Sequence, residues 1–193
     1  MLGLVWHGNF KMISEIIYQK EFVDKPDEAF SILLNEVAWV REQERRAEAF
    51  MAHKPTEYRY LPQENAPSYK STPYHALVHA IETRLNIKFG CKMNLCFLNY
   101  YANQSQALGW HSDDGEIIDQ TQPIVVVSLG VERDLWVREI GYKGEIPSEW
   151  KFTLHNGSVF IMPKGFQNLY QHRIPKGGRE MAGRISLTYR ASL

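Results

Sequence analysis

The chain has 193 residues, 44% of them hydrophobic and 23% charged, which is enough for one folded unit with a sizeable core. Its formal net charge is zero, so whole-chain electrostatics neither require nor exclude a nucleic-acid partner. Two cysteines, Cys91 and Cys96, exclude a disulfide framework and, without a further pair, give a poor zinc signal; both read as thiols of a reducing compartment.

Taken from the N-terminus, Met1-Leu2-Gly3-Leu4-Val5-Trp6-His7 is too short an apolar run, with no cationic start, to be a signal peptide. No run reaches the ~18 apolar residues of a membrane span. The expectation is a soluble, monomeric protein with no membrane partner, cytoplasmic or, in a eukaryote, nuclear. Residues 10–22 alternate loosely and predict a strand or hairpin. Asp24-Lys25-Pro26-Asp27-Glu28 opens a helix, with Asp24 as cap, Pro26 in the first turn, and Asp27 and Glu28 at the positive end of the dipole. Phe30, Leu33, Leu34, Val37 and Ala38 form its apolar stripe, which fades near Trp39. Residues 41–48 are highly charged and read as a solvated face or loop. Residues 50–70 mix Phe50, Tyr58, Tyr60 and Tyr69 with prolines and predict short strands and loops that pack little. Ser71-Thr72-Pro73 starts a second helix with Leu77, Val78, Ile81 and Leu85 buried, ending near Asn86.

From Met93 the pattern changes to strands, over residues 93–101, 123–129, 134–138, 150–154, 158–162, 170–174 and 184–190. The run Pro123 to Leu129 is apolar throughout and suits a strand buried on both faces. The order predicts an α+β fold in one domain, 1–193. An N-terminal α/β extension covers 1–90 and a double-stranded β-helix (jelly-roll) core covers 91–193, with the helices packed on one sheet.

One stretch carries chemistry: Trp110-His111-Ser112-Asp113-Asp114. On a strand, His111 and Asp113 face the same side. Together they are two-thirds of a 2-His-1-carboxylate triad, which holds Fe(II) with open positions. His172, 59 residues after Asp113, is far enough along for four or five strands to bring it back. A single histidine among seven is more often a core or surface residue; the H-x-D upstream and the arginines downstream raise its standing. Arg184 and Arg190 are six apart and share a strand face. Two inward guanidiniums need anionic partners, and a dicarboxylate is the economical one; surface ion pairs are the alternative. Asn99 and Tyr101 add neutral donors from another strand. Residues 164–190 carry Lys164, Arg173, Lys176, Arg179, Arg184 and Arg190 against Glu180, whereas 111–119 carry four acids and no Lys or Arg.

N-x-Y (Asn99, Tyr101), W-H-S-D-D (110–114), P-I-V-V-V-S-L-G (123–130), H-N-G-S-V-F-I-M (155–162), Q-H-R-I-P-K (171–176) and R-x5-R ending L-T-Y-R occur in the order that resembles the AlkB family of Fe(II)- and 2-oxoglutarate-dependent dioxygenases. The resemblance spans about residues 94–190. It implies that His111, Asp113 and His172 bind iron. It implies that Arg184 holds the far carboxylate of 2-oxoglutarate, with Arg190, Asn99 and Tyr101 around the rest of it. Ser186 stands where the family has a side-chain amide. O2 is the other cosubstrate. The implied activity is oxidative demethylation of 1-methyladenine- or 3-methylcytosine-type bases in alkylated DNA or RNA, releasing succinate, CO2 and formaldehyde. Tyr58-Arg59-Tyr60 resembles the family's nucleotide-recognition lid, and Phe50 stands near the aromatic that precedes it. Where the family has an acid two positions after the iron-binding Asp, this chain has Gly115; Asp114 and Glu116 are the candidates to substitute. Residues 41–48 lack the apolar wedge of double-strand-specific members, which favours single strands. The alternatives are the same chemistry on a protein, lipid or small molecule, and a non-catalytic jelly roll that leaves the triad and arginines unexplained.

Overall fold

A computed structural model describes residues 10–41, 46–59 and 68–193. A short helix, α1 (Phe10–Ser14), leads into strand β1 (Ile17–Gln19), so the expected strand or hairpin over 10–22 begins as a helix. Helix α2 spans Pro26–Glu36 and starts from Lys25, whose backbone is left-handed (φ 49°). Asp24 does not cap it; its carboxylate instead accepts from Arg84 at 2.7 Å. The helix stops at Val37, which turns extended, short of Trp39.

Next come β2 (Val40–Arg41), β3 (Ala47–Ala52), β4 (Glu57–Arg59), β5 (Ser68–Lys70) and helix α3 (Ala76–Phe89). The last, displaced toward the C-terminus of the expected helix, is capped by the His75 side chain and closed by left-handed Gly90. Then follow β6 (Leu95–Tyr101), β7 (Leu108–His111), β8 (Ile124–Gly130), β9 (Arg133–Glu139), β10 (Lys151–Leu154), β11 (Ser158–Met162), β12 (Tyr170–Ile174) and β13 (Arg184–Arg190).

These strands form a seven-stranded sheet, β1-β11-β8-β13-β6-β3-β2, and a four-stranded sheet, β10-β9-β12-β7; β4 and β5 make a separate ribbon. This is the expected jelly roll with helices on one sheet. The boundary near residue 90 is less clean, because β1, β2 and β3 complete the large sheet. The charged segment 41–48 is correspondingly not all loop: Ala47 and Glu48 lie in β3, paired with Tyr100 and Asn99 of β6. Gly130 ends β8 at φ 87°, where a Cβ would meet the Gly183 carbonyl oxygen at 2.5 Å, so only glycine fits.

Alternation divides the large sheet. Ile185, Leu187 and Tyr189 of β13, with Leu98, Val125 and Val127, pack under Leu33 of α2 and Val78, Ile81 and Leu85 of α3. The Tyr189 hydroxyl donates to the Val78 carbonyl at 2.9 Å, pinning β13 to α3. Phe97, Tyr101, Val126 and Phe160 point the other way and pack against Leu135, Val137 and Tyr170 of the small sheet's side. The outer face of the small sheet has a different cover. Arg138 lies 4.3 Å from the Trp110 ring centroid, and Arg173 lies 4.9 Å from Trp110 and 4.3 Å from Trp136. Lys151 extends this cation–π ladder at 4.8 Å from Trp136.

Leu187 is fully buried at the centre of the helix-covered layer. Leu187→Ala is expected to cost about 2–5 kcal/mol, read as a lower urea midpoint with an unchanged slope.

Candidate active site

The small sheet brings two histidines together. β12 runs antiparallel to β7, and His172 lies directly opposite His111. Their ring centroids are 4.2 Å apart. β7 ends at His111, so strand alternation does not deliver Asp113 as expected. A loop clamp does so instead. Ser112 Oγ donates to the Tyr170 carbonyl at 3.0 Å, the Asp113 amide donates to Gln167 Oε1 at 2.9 Å, and Gln120 Nε2 donates to the Asp113 carbonyl at 2.9 Å. Gln120 and Gln167, neither singled out in the sequence, hold the loop through backbone groups, and no motif announces such contacts. The Asp113 carboxylate then lies 3.9 Å from His111 Nε2 through Oδ1 and 3.6 Å from His172 Nε2 through Oδ2. One ligand atom from each residue lies within 4.8 Å of the others.

These side chains are held in the protonation states that a metal needs. His111 Nδ1 is 2.9 Å from the Gly109 carbonyl, which fixes that proton and leaves Nε2 as the free donor. Burial lowers the pKa of His111 against the pull of Asp113. Burial, then the neighbouring His111, bring His172 down to about 3. Burial acts to raise Asp113, but Arg190, aided by the two histidines, outweighs it and holds the carboxyl at about 2. The Arg190 Nη2 group donates to Asp113 Oδ1, whereas Oδ2 is buried without a hydrogen-bond partner among the described residues. Two neutral imidazoles and one carboxylate oxygen left open fit a divalent metal.

β13 brings the second group. Arg184 is fully buried; its Nε donates to Ser128 Oγ at 2.8 Å, while Nη1 and Nη2 make no hydrogen bond to a described residue. Burial pulls its pKa down to about 10, although the Tyr101 phenol beside it favours the charge. Tyr101 and Asn99 on β6 are buried and lie opposite Arg184 and Ser186 in register. Asn99 Oδ1 accepts from Arg46 Nε at 2.7 Å. Arg46, just before β3, is thus a site residue that the sequence reading placed in a solvated run. The signal was the alternation Arg46, Glu48, Phe50, which puts all three on one face.

The expected lid residues are placed differently. Tyr58 is fully buried, its ring 5.9 Å from Phe50, 6.2 Å from Phe97 and 5.6 Å from the Arg190 guanidinium. Phe50 stacks on Phe97 at 5.9 Å and is likewise buried. Tyr58 and Phe97 are walls over Arg190, and Phe50, on the inward face of β3, packs against both and exposes no stacking face. Arg59 is exposed and pairs with Glu57 at 2.9 Å. Tyr60 lies outside the described residues. Asp114 and Glu116 are exposed. Although its surface is exposed, partial desolvation on the side facing the site raises the Asp114 pKa, with the charge of Asp113 adding to the rise and His111 opposing it. Glu116 instead lines an open groove of about 280 Å³ with Glu57, Arg59 and Ile117. Gly115 explains the missing acid: a Cβ there would stand 2.3 Å from Tyr58 Cε2, so the Tyr58 ring fills that space.

Gly115→Ala is expected to force Tyr58 off its packed position and cost about 1–3 kcal/mol, measured as a fall in the denaturation midpoint. Asp113→Asn leaves a buried Arg190 without its counter-charge and is expected to cost about 3–5 kcal/mol. Adding Arg190→Met to Asp113→Asn should recover part of that loss, checked by a double-mutant cycle.

The chain matches the model of the 2OG-Fe(II) oxygenase superfamily over residues 21–190. It is 26% identical over 198 residues to the human alpha-ketoglutarate-dependent dioxygenase alkB homolog 3, covering 92% of this chain and 66% of that protein. It is 28% identical over 145 residues to the DNA oxidative demethylase ALKBH2 of Arabidopsis thaliana, covering 65% of this chain and 46% of that one. The chain therefore spans two-thirds or less of these relatives' length. The solved structure of OsALKBH1 shares the fold, with a TM-score of 0.61 at 15% identity over 91% of this chain and 96% of that one. With a matched region that runs from before α2 to the last residue of β13, the chain belongs to the 2OG-Fe(II) oxygenase superfamily, where its relatives are AlkB homologues.

Proposed function

We propose that the chain oxidatively demethylates N-alkylated bases of the 1-methyladenine or 3-methylcytosine type in single-stranded nucleic acid, using Fe(II), 2-oxoglutarate and O2. The observation that carries the cosubstrate is Arg184, a fully buried guanidinium whose Nη1 and Nη2 have no hydrogen-bond partner among the described residues. Such a group is costly unless an anion meets it. Arg184 and Arg190 against Asp113 leave one positive charge in excess, a divalent metal raises that to three, and a dianion offsets two of them.

In this reading His111 Nε2, His172 Nε2 and Asp113 Oδ2 hold the metal. Arg190 keeps the other carboxylate oxygen occupied, so Asp113 presents a single oxygen. Arg184 takes the far carboxylate of 2-oxoglutarate, and Asn99, Tyr101 and Ser186 line its chain with neutral polar groups. With metal, 2-oxoglutarate and O2 bound, the site supplies an oxidant that hydroxylates an N-linked methyl group, forming succinate and CO2, and the product releases formaldehyde. Phe50, Tyr58 and Phe97 keep water from this pocket. Asp114, beside His111, is the carboxylate positioned to accept from a base's exocyclic amine. Arg59 and Glu116 line the groove for the flanking strand. Nucleic acid is supported by the relatives, one of which is named a DNA oxidative demethylase. Single strands are supported by the composition of residues 41–48, which offers no apolar wedge.

A second reading, the same chemistry on a protein, lipid or small molecule, is favoured by the burial of Phe50 and Tyr58, which present no face to a base.

Formaldehyde and succinate release with methylated oligonucleotides tests both. The expected outcome is turnover on single strands exceeding that on duplex and abolished by His111→Ala. Arg184→Gln should raise the KM for 2-oxoglutarate about tenfold or more, the loss of one charged hydrogen bond being ~1.5–3 kcal/mol. Decarboxylation that no methylated nucleic acid stimulates would move the assignment to the second reading.

A further inference from the structure

A second cluster of metal-ligating side chains lies on the other side of the large sheet. His79 and Glu82 are three residues apart on α3 and share one face of that helix. His53 meets them from the residue after β3. His53 Nε2 is 2.6 Å from Glu82 Oε1, and the rings of His53 and His79 meet edge to face at 5.2 Å. One ligand atom from each of the three lies within 4.8 Å of the others. Nothing in the proposed reaction uses them. Cys96, which faces the same charge, packs in the helix-covered layer, whereas its neighbour Phe97 points between the sheets. The cluster and the His111–Asp113–His172 site are therefore on opposite faces of β6.

Glu82 is the group that needs explaining. It is 2% exposed, and its Oε2 completes no hydrogen bond among the described residues. A buried carboxylate oxygen without a partner is costly, and a bound cation removes that cost. The Tyr74 hydroxyl lies close enough to the carboxylate to interact with it, though neither its oxygen nor Glu82 Oε2 completes a hydrogen bond of full geometry among the described residues. The Tyr74 ring does fix the approach of His53, stacking on it at 4.5 Å and 22°. Both imidazoles are exposed, so an ion can enter from solvent and keep water in its remaining positions.

We propose that His53, His79 and Glu82 form a second metal site, for Zn²⁺. Two imidazoles and one carboxylate are a nitrogen-rich set that suits Zn²⁺ and disfavours Mg²⁺ and Ca²⁺, which take oxygen. Zn²⁺ takes the place of the proton between His53 Nε2 and Glu82, the imidazole staying neutral with its proton on Nδ1, and no redox change is involved. The ion joins α3 to the end of β3, the strand that carries Glu48 and Phe50 into the pocket and leads to β4. It acts as a clasp at the root of the segment that covers Arg190.

The test counts metal on the metal-free full chain, without turnover, by equilibrium dialysis against Zn²⁺ and by the visible absorption of Co²⁺. Two equivalents per chain are expected for the unaltered protein. His79→Gln, a change at an exposed position, should bind one, and so should His111→Ala. His79→Gln should keep any 2-oxoglutarate turnover within twofold, whereas His111→Ala abolishes it. Zn²⁺ should raise the melting temperature of the His111→Ala chain and leave that of His111→Ala with Glu82→Gln unmoved. A single equivalent in the unaltered chain, or two equivalents in His79→Gln, would overturn the assignment.

Discussion

The buried ion pair between Arg190 and Asp113 joins the two sheets, and the rest of the structure is arranged around it. Arg190 ends β13, the middle strand of the seven-stranded sheet, and Asp113 follows β7 at the edge of the four-stranded one. A buried pair gives little net stability, since desolvation opposes the attraction. Its value is geometric and electrostatic. It holds the carboxylate ionised, turns one oxygen toward His172, and fixes the loop that hydrogen bonds to Tyr170 of β12, Gln167 and Gln120 clamp. Removing either partner would disturb the position of the other sheet as well as the charge.

β13 shows how one strand serves both stability and chemistry. Its odd residues, Ile185, Leu187 and Tyr189, are buried under the helices. Its even residues, Arg184, Ser186, Thr188 and Arg190, are buried polar groups between the sheets. The apolar layer offsets the cost of holding Arg184 in a dry pocket, which a stability-driven sequence would not contain. The second cluster repeats the pattern on the opposite face, where Glu82 sits in the apolar layer with an oxygen left over.

The sequence is legible where strands are long and alternate strictly, and where a motif names its own partners. β6, β8 and β13 have seven residues each, and the R-x5-R spacing keeps its shared face because period-2 alternation is rigid; H-x-D names the right residues, although a loop and not the strand carries Asp113. The N-terminal third is harder to read. β1 has three residues and β2 two; β1 exists only because distant β11 pairs with it, and β2 is held by its pairing with β3. Phe50 and Tyr58 resemble a lid by motif, yet Phe50 is turned inward by the pairing of β3 with β6 and Tyr58 packs on Phe50 and Phe97, long-range contacts that no local pattern reports. Arg46 sits in a run of charges whose inward turn is likewise decided by β6. Asp113 reaches its place through Gln120 and Gln167, which act by side chain to backbone and carry no spacing signature. Gly115, read as a missing acid, is a space already taken by Tyr58.

The cation–π ladder on the small sheet has an optical consequence. Trp110 and His111 are adjacent on β7, so the indole faces outward while the imidazole faces the metal-binding cluster. Arg138 and Arg173 both lie against that indole, and Arg173 also touches Trp136. Any shift of β7 as His111 takes up a ligand changes the charge seen by Trp110, and tryptophan emission is sensitive to such charges. The protein thus carries an intrinsic fluorophore one residue from its reactive centre, on the dry strand's wet side, where occupancy can be followed without a label.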